Sequence, residues 1–252
     1  MAIDLSAIKA SKTPKPPRIL IHGNEGIGKS TFFSKAPKPL FIQTEDGLDE
    51  LKVAKLPKEG TAKSYAYVME VITELYTQKH DFKTIVIDSA DWLEALTWKH
   101  VAEENGKDNI EAFGYGKGYV FAADAFRKIL EGLNALRLSR SMVVGMTAHS
   151  QVKRFDDPET EPYDRYILKM HQRTSSVLSE WCDIIGYASQ RTIVQTEDVG
   201  FDKTARRGVA VGERLLWTQE RPAFVAKNRY SLPESIPLEW GALSDCISKS
   251  LT

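Results

Sequence analysis

The sequence predicts an α/β fold in which helices flank a mostly parallel central sheet, extended on its C-terminal side by antiparallel strands. Three observations lead there. Apolar runs of strand length alternate with stretches of helical periodicity between residues 18 and 149, the pattern of repeated strand–helix–strand units. The run KTIVIDS (83–89) is apolar on both sides of the pleat until it ends in Asp, as a strand covered on both faces must be. Beyond residue 181 the pattern becomes short strand-like pieces separated by turns, which suits an antiparallel extension.

The elements follow in order. Residues 1–17 end in a Lys/Pro-rich stretch and read as a tail leading into the fold. RILIH (18–22) is the first strand, and KSTFFSKA (29–36) is a helix stopped by Pro37. PLFIQTE (39–45) is the second strand. In residues 61–78, Val68, Val71, Ile72 and Leu75 recur at helical spacing. KTIVIDS follows, then helices over 91–104 and 118–139, then the strand MVVGMTAH (142–149). Residues 150–175 carry two prolines and no regular periodicity, so a loop is expected, with SSVLSEW (175–181) after it. DIIGYAS, RTIVQTEDV, RLLWTQ and AFVAKN are expected as short strands. No Gly/Ser-rich linker divides the chain, so residues 18–252 read as one domain.

Composition narrows the class. Hydrophobic residues make up 42% and charged residues 27%, the balance of a globular protein with a core of useful size. Lys+Arg and Asp+Glu both number 34, so polyanion binding must come from a local basic patch rather than global attraction. Cys182 and Cys246 lie far apart with no metal-ligand spacing and read as reduced thiols of a cytoplasmic protein. There is no signal-peptide pattern and no apolar run of ~18 residues, so no membrane partner is expected. Trp92, Trp98, Trp181, Trp217 and Trp240 fall in apolar patterns and read mostly as core. His100 and His171 have no partners at ligand spacing.

Gly23-Asn24-Glu25-Gly26-Ile27-Gly28-Lys29-Ser30 fits G-x-x-x-x-G-K-[ST] in full, after a strand and before a helix. Glycines let the backbone wrap so that N–H groups face phosphate oxygens, and Lys29 reaches the β- and γ-phosphates. The Ser30 hydroxyl suits Mg2+, and Thr31 continues the cradle. ATP with Mg2+ is the expected cofactor pair. Asp88 ends an apolar strand at the sheet edge where ligands bind, so it is the metal-side acid. Its alternative role is to cap the next helix, which Asp91 can do instead. Many ATPases of this class carry Glu directly after that Asp, but here Ser89 follows. Glu45, at the end of the second strand, is the remaining carboxylate for a general base if that strand neighbours the first. The other reading of Glu45 and Asp46 is a solvated acidic turn before Gly47.

The set GNEGIGKST, LFIQTEDGLDEL, TIVIDSADWL and MVVGMTAHSQ resembles the RecA-like ATPase core. That resemblance implies Glu45 as the catalytic glutamate and a polar sensor after the fourth run. The family usually has Gln there, whereas this chain offers His149 and, two residues on, Gln151. AFVAKNRYSLPE is similar to the RecA segment whose cations reach the neighbouring subunit's nucleotide, with Lys227 and Arg229 in those places. The resemblance thus implies a homo-oligomer, ring or filament, with nucleotide at the subunit interface. The other reading of Lys227 and Arg229 is two exposed charges on an edge strand. The compact core with KNRYSLPESIPLEW near its end resembles the phage-encoded, single-strand-annealing-associated (Sak-type) ATPases.

RecA-like cores bind DNA through two loops. The first corresponds to residues 104–119, with Lys107, Phe113, Tyr115 and Lys117 interleaving cations and rings as single strands require. The second follows His149 and carries Lys153, Arg154, Lys169 and Arg173 around an acidic middle. Both stretches also read as plain surface connections or subunit contacts. The expected function is an Mg2+-dependent ATPase that oligomerises on single-stranded DNA in phage recombination. One rival is an ATP-gated scaffold or loader that recruits a single-strand-binding protein. The other is a P-loop kinase, disfavoured because no Arg-dense lid is evident.

Overall fold

A computed structural model of the protein describes residues 13–198 and 204–251. β1 (Arg18–Gly23) leads through the glycine-rich turn into α1 (Lys29–Ser34), β2 (Pro39–Gln43) and the short β3 (Ala54–Leu56). Next come α2 (Tyr65–Thr77), β4 (Thr84–Asp88), α3 (Ala90–Glu104), a 3-10 turn at Ile110–Phe113, and α4 (Lys117–Ser139). β5 (Val143–Phe155), β6 (Tyr163–Leu168), α5 (Gln172–Trp181), β7 (Ile184–Asp198) and β8 (Thr204–Trp217) follow. β9 (Lys227–Asn228), β10 (Ser235–Pro237) and α6 (Trp240–Leu251) complete the described chain.

The strands run in the order β10-β8-β7-β1-β5-β4-β2-β3, with β6 paired to β5 and β9 to β7. The six from β7 to β3 are parallel. β8, β10, β6 and β9 are antiparallel to their partners. Side-chain alternation splits the core between the two faces of the sheet. Leu20, Leu40, Ile42, Ile85 and Ile87 pack under α2, α3, α4 and α5. Ile19, Ile21, Phe41 and Val86 face α1 and α6. Because both faces are covered, both sides of each central strand are apolar, which is why the runs looked continuous.

The helices follow from pattern and caps. α2 starts where Ser64 Oγ accepts the Tyr67 N–H at 3.2 Å, a cap worth about 1 kcal/mol. α4 buries Ala122, Phe126, Ile129, Leu133 and Leu136, spaced three and four apart.

Several expectations are corrected. Residues 150–175 are not a loop: β5 runs on to Phe155 and returns as β6, paired Ser150↔Leu168 through Phe155↔Tyr163, and α5 begins at Gln172. This hairpin arm is largely exposed, so no buried face marks its register in the sequence. The runs expected as two strands after Cys182 are one strand over Ile184–Asp198, β7, with a register irregularity between Gln190 and Thr192. AFVAKN is strand only at Lys227–Asn228. β3, β10 and α6 went unpredicted; the two strands are three residues each, too short for periodicity. Trp92 is 51% exposed, not core.

Candidate active site

The glycine-rich turn is a cradle because its backbone cannot be built otherwise. Gly26 and Gly28 sit at φ +73° and +108°, in the left-handed region that β-carbons disfavour. Lys29, the first residue of α1, is 7% exposed, so its charge must be met by polar atoms. Its Nζ donates to Gly23 O at 3.0 Å and Asn24 O at 2.9 Å, along the mouth of the turn. Burial pulls its pKa below the usual lysine value, opposed by Asp88, Asp91, Glu45 and Glu25. Phosphate oxygens replacing those carbonyls would be better partners for this ammonium.

Four adjacent strands bring the remaining groups to the same edge. Gly23 ends β1 opposite His149 of β5. Thr147, two residues earlier on β5, donates its hydroxyl to Asp88 Oδ1 at the end of β4. Beyond Gln43, which pairs with Asp88, the chain turns: Thr44 N and Glu45 N both donate to Asp88 O, at 2.8 and 3.1 Å. Glu45 is therefore delivered from β2, which does not neighbour β1 as expected; β5 and β4 lie between them. A cavity of ≈ 350 Å³ results, lined by Lys29, Ser30, Thr31, Glu45, Asp88, Thr147 and His149 together with the loop 46–51. A larger groove of ≈ 740 Å³ lies between α2 and β3, away from these groups.

The far wall is a hydrogen-bonded set. Ser89 Oγ donates to Glu45 Oε2 at 3.1 Å. His149 Nε2 lies 3.7 Å from Glu45 Oε1. Its Nδ1 is 2.9 Å from Asp91 Oδ2, and its backbone N–H donates to Asp91 Oδ1 at 3.1 Å. Burial raises the Glu45 carboxyl, with His149 and Ser89 pulling against it. The bond to Asp91 raises the His149 pKa, with burial opposing. Asp91, which the sequence offered as an alternative cap for α3, is not the cap: Ser89 holds that position and Asp91, in the first turn, is spent on His149. The oxygen donors Ser30 and Asp88 on one cavity wall suit a hard divalent cation such as Mg2+. When bound with the nucleotide, that ion would neutralise charge on the transferring phosphoryl group.

A comparison with protein-family models matches residues 15–230 to the model described as an AAA domain. The chain belongs to the AAA domain family. The match spans cradle, Asp88, Glu45 and His149, and it makes this chain a nucleotide-binding domain of the ATPase type. None of the curated proteins compared with the chain matches it.

In this AAA domain the other predicted residues sit elsewhere. Lys227 pairs with Ile185 and so lies level with Leu20, midway along β1 and three residues before Gly23. Its Nζ donates to Ser179 O and Glu180 O, at 2.7 and 3.2 Å, while Arg229 bonds Glu180 O and Asp183 Oδ1, each at 3.2 Å. Both cations thus meet the last carbonyls of α5, a favourable end for positive charge. In the first loop, Tyr115 is fully exposed between Gly114 and Gly116, while Phe113 packs against Phe121. Lys107 and Lys117 are exposed, as are Lys153, Arg154, Lys169 and Arg173. The two loops meet where Tyr119 stacks on His171, ring centroids 3.9 Å apart. Gln151 turns away from the cavity, its amide donating to Leu168 O at 3.3 Å.

Thr147, Asp91 and Arg214 were not found from the sequence. Thr147 and Asp91 stood inside quoted motifs but carried no spacing signal. Arg214 of β8 places Nη1 3.0 Å from where a β-carbon on Gly28 would stand, a contact between residues far apart in sequence.

Proposed function

We propose that the protein is a Mg2+-dependent ATP hydrolase with a RecA-like core, acting as an oligomer on single-stranded DNA in phage recombination or annealing. The observation that carries the hydrolase reading is Glu45, held across the cavity from Lys29 by Ser89 and facing His149. A carboxylate there is placed to orient and deprotonate a water attacking the terminal phosphate. Lys29 and the cradle N–H groups hold the phosphates, and Ser30 and Asp88 supply the metal-side oxygens. The sheet order, with β5 between the cradle strand and the Asp88 strand, supports the RecA-like assignment. The DNA reading is supported by an exposed Tyr115 on a stretch that also carries exposed Lys107 and Lys117, and by the exposed cations of the β5–β6 arm. Lys227 and Arg229, which bond the end of α5 and do not line the cavity, are the cations proposed for a neighbour's nucleotide.

The test is the ATPase rate with and without single-stranded DNA, with oligomer size measured in parallel. Lys29→Ala should abolish turnover. Glu45→Gln should bind ATP normally while lowering kcat by about 10²–10⁴-fold. A normal rate in Glu45→Gln rules out Glu45 as base. Strong stimulation by DNA supports the recombination reading, and its absence favours an ATP-gated scaffold.

A further inference from the structure

The residue after the metal-side acid and the one two beyond it are both spent on the opposite wall of the cavity. Ser89 holds Glu45, and Asp91 holds His149. We propose that Asp91 is a positioning residue for ATP hydrolysis, acting through His149; this rests on the reading of Glu45 and His149 as hydrolytic machinery.

The geometry is unusually determinate. One carboxylate grips His149 at two points, Oδ1 on the backbone N–H at 3.1 Å and Oδ2 at ring Nδ1 at 2.9 Å. The first bond fixes where the strand end sits. The second fixes the rotation of the ring. With Nδ1 tied, Nε2 points away from Asp91 and toward Glu45, 3.7 Å off. A carboxylate on one ring nitrogen sets which nitrogen is left to work. Here that is Nε2, which in the doubly protonated ring can donate to Glu45 or, in exchange, to an oxygen of the terminal phosphate.

Asp91 can do this because it is itself immobile. Its side chain is 8% exposed, and it stands in the first turn of α3, whose packing residues Ala90 and Leu93 are fully buried. The four residues 88–91 therefore set three parts of the site from one rigid junction between β4 and α3. Asp88 faces the metal side, Ser89 orients Glu45, and Asp91 orients His149. Neither Ser89 nor Asp91 needs to touch the nucleotide. Without Asp91, no other described hydrogen bond holds the His149 ring, and it can turn away from Glu45.

The experiment compares wild type with Asp91→Ala, Asp91→Asn, Asp91→Glu, His149→Ala and the Asp91→Ala/His149→Ala double variant. The readouts are kcat, KM, ADP affinity, and ¹⁵N NMR of the histidine rings in the nucleotide-free protein. Misorienting a reacting-site group by about 1 Å costs roughly 10²-fold in rate, so Asp91→Ala should lose about that in kcat, with KM and ADP affinity unchanged. The double variant should be no slower than His149→Ala, and Asp91→Glu should recover part of the rate. The His149 Nδ1 resonance should shift in Asp91→Asn, which keeps the side-chain volume if Asp91→Ala fails to fold. A wild-type kcat in Asp91→Asn with an unshifted ring overturns the proposal, as do losses that multiply in the double variant. If wild type hydrolyses ATP and Lys29→Ala does not, such a result removes only the role of Asp91. If wild type does not hydrolyse ATP, the underlying reading fails and this inference fails with it.

Discussion

Gly145 shows how a single residue sets the position of the cradle. A β-carbon there would stand 2.5 Å from Cε1 of Phe33, the fully buried ring of α1. β5 thus carries no side chain where α1 lies on it, and α1 begins with Lys29. Gly145→Ala should overpack this contact and cost about 1–3 kcal/mol, lowering the thermal midpoint by several degrees. An unchanged midpoint would mean that α1 is not seated on β5 as described. At this scale the cradle was legible in the sequence, because its chemistry is local: glycines, Lys29 and Ser30 act within eight consecutive residues. Asp88 and Glu45 were legible as carboxylates at strand ends, but the residues alone left Glu45 between a general base and a solvated acidic turn, and only the resemblance to RecA-like cores favoured the base. Asp91 was misread because a first-turn Asp commonly serves a helix N-terminus. What overrode that habit is His149, 58 residues away, which offers two donors at once.

At the scale of elements, α3 ties the active-site edge to α5. One turn after Asp91, Glu94 is 3% exposed and accepts the His171 N–H at 3.0 Å, at the start of α5. Burial raises the Glu94 pKa from 4.5 to about 7. Between those values the folded chain keeps a proton that the unfolded chain has lost, so stability falls as pH rises through the window. That shift corresponds to about 3 kcal/mol. In Glu94→Gln, whose amide oxygen can still accept the His171 N–H, this part of the pH dependence should vanish. Melting both proteins between pH 4.5 and 8 checks it; parallel curves would exclude Glu94 as the source. α2 and α4 were legible because each has an apolar stripe against the sheet, whereas α6 was missed. The β5–β6 arm was not, since most of its residues face solvent and lack a period.

At the scale of the molecule, the sheet sets Lys227 back along the strands from the cradle edge. Lys227 lies level with Leu20, three residues before Gly23, or about 10 Å along the strand. In the proposed oligomer, a second copy would bring these cations to the nucleotide. Mixing Lys29→Ala with Arg229→Ala subunits should then recover part of the activity, because some interfaces pair an intact cradle with an intact Arg229. No recovery, with both variants folded and oligomeric, would restrict Arg229 to its bonds with Asp183 and Glu180. The zero net charge of the chain puts any DNA contact on local cations, such as Lys153 and Arg154 on the exposed arm.

By itself the sequence determined the fold class, the nucleotide cradle, and the two carboxylates at strand ends. These follow from short-range rules: periodicity, glycine conformation, and the fact that a buried strand stays apolar until it surfaces. Only the tertiary structure decided the strand order, and with it the partners of those carboxylates. The order put Thr147 on Asp88, Ser89 on Glu45 and Asp91 on His149. Which strand lies beside which depends on how both faces of the sheet are covered, and that is settled by packing across the whole chain.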